Sequence, residues 1–213
     1  MNQIKIAIID YGMGNLRSVA NAFAVLNYPA FIAKAPEDLY EASHIVLPGV
    51  GAFGDGIKNL QSAGWVNILE KEIIEKGKPF LGICLGMQLL ATSGTENGFH
   101  KGLNWIPGTV KRLETNKTYI RIPHIGWNDV HFLNKDYLHS GLGDSQVFYF
   151  VHSYVFHPED TSIVTGITSH GLEFISSIQR ANIYATQFHP EKSQKAGLEV
   201  FKNFVTLTVP NNA

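Results

Sequence analysis

The chain reads as an α/β protein: a mostly parallel central sheet flanked by helices, with an added mixed or antiparallel β extension. Three observations predict this. The first half alternates short apolar runs with helical patterns. Those runs are continuous rather than alternating, as in strands buried on both faces. From about residue 108 to residue 188 the pattern changes to alternating, β-branched and aromatic segments. The 213 residues are 45% hydrophobic and 16% charged, enough for one sizeable core, and no repeat, low-complexity tract or Pro/Ser-rich linker divides them. One domain spanning residues 1–213 is expected.

Residues 4–9 predict the first strand. Val19, Phe23 and Leu26 stand at i, i+4 and i+7, so a helix follows, and residues 29–33 return as a second strand. Residues 44–47 form a third, which runs into the Gly-rich loop Pro48-Gly49-Val50-Gly51-Ala52-Phe53-Gly54. Trp65, Leu69 and Ile73 mark another helix, and residues 79–83 a strand that enters the only cysteine, Cys84. In the second half, residues 147–156, 163–169, 174–179 and 183–187 predict strands that extend the same sheet. Leu198, Phe201 and Val205 supply the apolar face of a closing helix. Ser193 is its expected N-cap, without the Glu or Gln three residues on that completes a capping box.

Composition excludes several function classes. Lys and Arg number 17 against 18 Asp and Glu, a net charge of −1, which rules out a polybasic nucleic-acid binder and a charge-driven disordered chain. The longest apolar runs, such as 6–9 and 147–151, fall far short of the roughly 20 residues of a bilayer-spanning helix. The N-terminus moves straight into a strand with no charged leader and cleavage site. A lone cysteine allows neither an internal disulfide nor a cysteine-based zinc site, so a cytoplasmic protein is expected. Asn116-Lys117-Thr118 matches the glycosylation pattern, which carries little weight without secretion. The histidines show no paired spacing on one helix, so no metal site is expected. Asp10-Tyr11-Gly12-Met13-Gly14-Asn15 invites a dinucleotide reading, but Arg17 replaces the last glycine of Gly-x-Gly-x-x-Gly and no acidic residue closes the second strand near Lys34. No cofactor is expected.

Chemistry concentrates in two segments. In Phe80-Leu81-Gly82-Ile83-Cys84-Leu85-Gly86-Met87-Gln88, a strand meets Gly-x-Cys-x-Gly and then a helical pattern, the form of a nucleophile elbow. Such a turn strains the nucleophile's backbone, and the flanking glycines remove side chains that would collide there. A helix N-terminus behind the sulfur favours the thiolate. The bland alternative is a small buried hydrophobe. A thiolate that transfers an acyl group needs a base and a group to orient it, and Gln187-Phe188-His189-Pro190-Glu191 supplies both. Pro190 holds His189 extended, and residues i and i+2 of an extended chain face the same side, so His189 and Glu191 project together. A structural histidine at a strand end is the alternative. Pro48-Gly49-Val50-Gly51 follows another strand and emerges on the same carboxyl edge as Cys84, where backbone amides can face an oxyanion; by itself the motif also fits an ordinary loop.

Taken together, Gly82-Ile83-Cys84-Leu85-Gly86-Met87-Gln88 and His189-Pro190-Glu191 resemble the class I (triad) glutamine amidotransferases, over essentially the whole chain. Asp10–Leu16 in the first loop, the 47–53 loop, Pro123-His124-Ile125-Gly126-Trp127-Asn128 and residues 187–194 resemble those members of the family that serve a cyclase. The resemblance implies a flavodoxin-like fold and a glutaminase. Cys84 would attack the side-chain amide of glutamine, His189 would protonate the leaving ammonia, Glu191 would orient His189, and the glutamyl thioester would be hydrolysed. It further implies an oxyanion hole from the backbone amides of Val50 and Leu85, and a glutamine pocket of Gly49, Gly51, Gln88, Ser153 and Tyr154. The implied partner is a (β/α)8-barrel cyclase in a heterodimer, met near Asn15, Trp127 and Lys192. It would join the ammonia to a phosphorylated ribulosyl nucleotide, giving imidazole glycerol phosphate and aminoimidazole carboxamide ribotide in histidine biosynthesis. Without that partner the chain is expected to be a poor enzyme, its 48–51 loop not yet competent. Two departures, His170-Gly171 for the usual Tyr-Gly and Ser153 for the usual Thr, leave open a paralogue that feeds another acceptor, as in surface-polysaccharide amidination. A stand-alone cysteine hydrolase, a non-catalytic scaffold and a nucleotide-binding module are the remaining alternatives.

Overall fold

The computed structural model describes residues 4–115, 118–133 and 137–207; Asn116 and Lys117 of the glycosylation-like triplet lie outside them. In chain order the elements are β1 (Ile6–Ile9), α1 (Leu16–Val25), β2 (Ala30–Ala33), β3 (His44–Gly49), α2 (Phe53–Ser62), α3 (Trp65–Leu69), β4 (Phe80–Cys84), α4 (Leu85–Gln88), β5 (Ser93–Gly94), β6 (His100–Lys101), β7 (Gly108–Arg112), β8 (His124–Phe132), β9 (Ser145–His152), β10 (Tyr154–Pro158), β11 (Val164–His170), β12 (Leu172–Arg180), β13 (Ile183–Thr186) and α5 (Gln194–Val205). Beyond α3 the helix continues through a π-helical stretch, Glu70–Glu75.

The main sheet has the strand order β2-β1-β3-β4-β13-β12-β11-β8-β9. Its first five strands are parallel and the remaining four pair antiparallel. The expected parallel core with an antiparallel extension is therefore present in one continuous sheet. Continuous apolar strands fill both faces. Ala7 and Ile9 pack with Leu60, Trp65 and Leu69 on the α2–α3 side, while Ile6 and Ile8 pack with Val19, Phe23, Phe201 and Phe204 on the α1–α5 side. The Phe23 and Phe201 rings, 4.7 Å apart, join α1 to α5 across that layer.

Four sequence expectations change. Residues 147–156 are not one strand: the chain breaks at Ser153, and β10 leaves the main sheet for a second sheet ordered β10-β7-β5-β6. The corner is satisfied locally, because His152 Nδ1 bonds the Tyr154 carbonyl (3.1 Å) and the Ser153 carbonyl accepts from Leu113 N (2.8 Å). The Gly-rich loop is shorter than expected, since α2 starts at Phe53; a distant carboxylate, Glu96, accepts from the Phe53 N–H (2.8 Å) and caps that end. The helical pattern after Cys84 gives only the four-residue α4. Ser193 occupies the N-cap position of α5 without capping it. Its hydroxyl instead donates to the His189 carbonyl (2.6 Å) and accepts from Tyr149 N (3.0 Å).

One close approach fixes α5 against the turn before it: a Cβ on Gly197 would drive into the Pro190 carbonyl. Backbone cannot yield as a side chain can, so Gly197→Ala is expected to lose about 3 kcal/mol of stability, the upper end for overpacking, read as a lower urea midpoint.

Candidate active site

Three strands of the parallel half end together: Gly49 of β3 pairs with Cys84 of β4, and Ile83 with Thr186 of β13. The loops beyond these carboxyl ends carry the site, as parallel α/β sheets favour. Cys84 has φ 55° and ψ −106°, a conformation that side chains rarely adopt and that costs of order 1–3 kcal/mol. This is the strained elbow expected from Gly-x-Cys-x-Gly. The glycines act through backbone contacts: a Cβ on Gly86 would strike the Leu47 carbonyl of β3, and one on Gly82 would lie 2.8 Å from the Gly86 carbonyl.

A cavity of about 530 Å³ opens beside Cys84. Val50, Gly51, Leu85, Gln88, Ser153 and Tyr154 line it, and Lys192 stands in its wall. Gly49 stands behind these lining residues, so closely between the Tyr11 hydroxyl and Leu85 that a Cβ has no room. Burial, reinforced by the charge of Cys84, pushes the pKa of that Tyr11 hydroxyl up and keeps it protonated. The first loop interleaves with the 48–51 loop at two further points: Gly14 abuts the Pro48 carbonyl, and Gly51 abuts the end of Met13.

His189 and Glu191 do come together, Nδ1 to Oε1 at 2.7 Å with both side chains buried. The route differs from the expected extended alternation. His189 is extended, but Glu191 sits in a 3-10 turn, Pro190–Lys192, that curls its carboxylate back onto the ring. Backbone bonds from His189 N to the Tyr149 carbonyl (2.9 Å) and from Lys192 N to the His189 carbonyl (3.1 Å) hold the turn. Nε2 of His189 is buried with no oxygen or nitrogen partner among the described residues. Burial pulls the pKa of His189 down, but Cys84 and Glu191 outweigh it and raise the value to about 10. The sulfur and the carboxylate thus favour the imidazolium form of the ring.

Of the residues expected at a partner face, Trp127 and Lys192 meet on one aromatic ring. Trp127 is 49% exposed and packs edge-on to Tyr149 (5.9 Å), while Lys192 Nζ lies 5.4 Å above the same ring. Asn15 stands at the N-cap position before α1 and outside the cavity lining. Of the two departures from the family pattern, Ser153 lines the cavity and His170 does not; His170 stacks on His124 (4.1 Å) and bonds the Arg121 carbonyl.

Sequence reasoning missed Glu96, His152 and Gln187. Glu96, the one acid among the described lining residues, sits in a stretch without periodicity. His152 lines the cavity; its Nδ1 donates to the Tyr154 carbonyl, so its Nε2 accepts a 3.0 Å bond from His124 Nδ1. Gln187 was legible in principle, since two residues before an extended His189 places it on the same side of the chain. Among the described residues no group of three or more His, Cys, Asp or Glu is placed to hold a metal ion, and no helix is long and apolar enough to cross a membrane.

The family model for class I glutamine amidotransferases matches residues 7–207. The chain belongs to the class I glutamine amidotransferase family. Among relatives of this amidotransferase, the imidazole glycerol phosphate synthase subunit HisH of Moorella thermoacetica is 50% identical over 199 residues, 93% of each chain. The proteins of the same name from Aquifex aeolicus and Geobacter sulfurreducens are 47% and 46% identical, covering 94% of this chain and 96% and 97% of theirs. Solved structures agree on the fold. PurLQS of Thermotoga maritima superposes with a TM-score of 0.74 at 18% identity, over 95% of this chain and 98% of the other. A glutamine amidotransferase from the same organism gives 0.65 at 20% identity, over 95% and 84%.

The amidotransferase carries a pH liability beside its site. Burial, then the charge of His170, lowers the pKa of His124 to about 4; burial, then His124, lowers that of His152 to about 3. An unfolded chain takes up protons on both from about pH 6.5 downward, whereas the folded chain resists until its own lower values. Stability present above pH 6.5 is therefore lost as pH falls toward 3. Urea midpoints across that range are expected to drop, and His124→Phe to flatten the slope.

Proposed function

We propose that this chain is the glutaminase subunit of an imidazole glycerol phosphate synthase. The observation that carries the chemistry is the strained Cys84 beside the imidazolium of His189, opening on a cavity large enough for an amino acid. The near-full-length similarity to HisH subunits supports the pathway. Cys84 Sγ attacks the side-chain amide carbon of glutamine, and the backbone amides of Val50 and Leu85 face the resulting oxyanion. As the C–N bond breaks, His189 passes its proton to the leaving nitrogen, which departs as ammonia and leaves a glutamyl thioester. A water then attacks the thioester with His189 as base, releasing glutamate and restoring the sulfur. Glu191 keeps the ring oriented throughout and offsets its charge whenever it is protonated. Gln88, Ser153 and Tyr154 position the substrate, with Gly51 at the turn of the loop. Glu96 supplies the negative charge that suits the α-ammonium of glutamine.

The partner is a (β/α)8-barrel cyclase in a heterodimer, which receives the ammonia. Its docking face includes Trp127 and Lys192, and Asn15 at the start of α1; the exposed Ile125 (60%) and Val147 (40%) extend the apolar surface of β8 and β9. A cytoplasmic location fits this role. The 48–51 loop, held at three points by the first loop, is the element expected to respond to the partner.

Glutamate release from glutamine is expected to be slow for the chain alone and to rise when the cyclase barrel and its nucleotide are added. Cys84→Ala is expected to reduce the stimulated rate by at least about 10³-fold. Silence with that barrel, together with covalent labelling of Cys84 by a reactive glutamine analogue, would keep the glutaminase and reject the histidine-pathway partner. Glu191→Gln, which removes the charge on the far side of His189, is expected to lower kcat by about 10²–10⁴-fold, measured in the same assay.

A further inference from the structure

Gln187 is fully buried at the end of β13, and its side-chain amide has two partners. Its Nε2 lies 3.6 Å from Cys84 Sγ, and its Oε1 lies 3.0 Å from Gln88 Nε2. The orientation of both amides follows from a single fixed group. Gln88 Nε2 also lies 2.9 Å from the Tyr154 carbonyl, and a backbone carbonyl only accepts, so the Gln88 atom there must be the NH₂. The Gln187 atom facing that NH₂ must then be the oxygen, which leaves the Gln187 NH₂ toward sulfur. A hydrogen-bonded chain thus runs from the Tyr154 backbone through two carboxamides to Cys84. Gln187 N, bonded to the Ser176 carbonyl at 2.9 Å, anchors the middle of it.

We propose that Gln187 is a positioning residue of the nucleophile: its carboxamide donates to Cys84 Sγ and ties the sulfur to Gln88 of the substrate pocket. The inference rests on the glutaminase reading of this site. A donor N–H aimed at sulfur stabilises the negative charge left when its proton resides on His189, and does so in a site where burial keeps water from substituting. It also limits the swing of the Cys84 side chain, so that the attacking sulfur and Gln88 of the pocket are set by one linkage. Neither role needs Gln187 to touch glutamine.

The test compares wild type with Gln187→Met, which keeps volume without a donor, and with Gln187→Glu, which keeps shape and turns an acceptor toward sulfur. Two rates are measured on the full chain: alkylation of Cys84 by iodoacetamide at pH 7, and glutamate release by the complex with its cyclase. Loss of a hydrogen bond to a charged group predicts a fall of about ten- to a hundredfold in both rates, with KM for glutamine within about threefold and Gln187→Glu the slower variant in alkylation. A residue that only fills space gives the opposite sign, because loosened packing exposes Cys84 and speeds alkylation. Unchanged or faster alkylation therefore overturns the proposal, even if kcat falls. Should Gln187→Met not fold, as judged by circular dichroism, the isosteric Gln187→Glu carries the same comparison. If wild type released no glutamate, the glutaminase reading would fail, while the alkylation rates would still decide whether Gln187 acts on the sulfur.

Discussion

The close approach of β3, β4 and the turn after Cys84 is the constraint on which the rest depends. A strained φ/ψ pair persists only where the surroundings over-determine it, and here the surroundings are backbone. Gly86 lies against the Leu47 carbonyl, Gly82 against Gly86, and Gly49 against Leu85 and the Tyr11 hydroxyl. Around them Leu47, Phe80, Leu81 and Ile83 are all fully buried. Packing on both faces of the parallel sheet thus opposes relaxation of the elbow, and the sulfur is presented at a fixed place without help from a long helix. That last point shifts weight from dipole to contact: α4 is too short to supply much of a macrodipole, so direct neighbours of the sulfur dominate its electrostatics.

Those neighbours divide into two groups by charge. His189 is kept protonated by Cys84 and Glu191, while His152, which lines the cavity, and His124 behind it are kept neutral by burial. Identical side chains are driven in opposite directions because one has a buried carboxylate and a sulfur, whereas the others are buried among aromatic rings and neutral hydrogen-bond partners with no anion beside them among the described residues. The neutral pair can accept and donate in sequence through a 3.0 Å contact, continued at 3.1 Å to Asn128. It therefore stiffens the wall behind Ser153 without adding a competing cation near the site.

Much of this was legible in the residues because local chemistry and tertiary role coincide. Gly-x-Cys-x-Gly demands a tight, strained turn wherever it occurs after a strand, and Pro190 constrains the partners of His189 before any folding. Continuous runs such as 6–9 could only be strands covered on both sides. What stayed hidden depends on residues far apart in sequence. Glu96 caps α2 from 43 positions away. The corner at Ser153 arises because Leu113 and Tyr154 bring a second sheet to that point. Ser193 has the composition of a cap and an unusual occupation, since Tyr149 and His189 bid for its hydroxyl more favourably than the start of α5 does. The conformation of Glu191 was anticipated in its outcome and missed in its path, because period-2 alternation ignores the turn that a proline initiates.

The arrangement of that turn has a consequence for solubility. β9 is the outermost strand of the main sheet, and an outermost strand offers unpaired main-chain groups on which a foreign strand can grow. At Tyr149 those groups are taken: the amide bonds Ser193 Oγ and the carbonyl accepts from His189 N. The segment that orients the imidazole is also a cover over the open margin of the sheet. Loosening it would expose a sticky border at the same moment as it disarrays the triad, so inactive variants of this segment should be recovered disproportionately as aggregates.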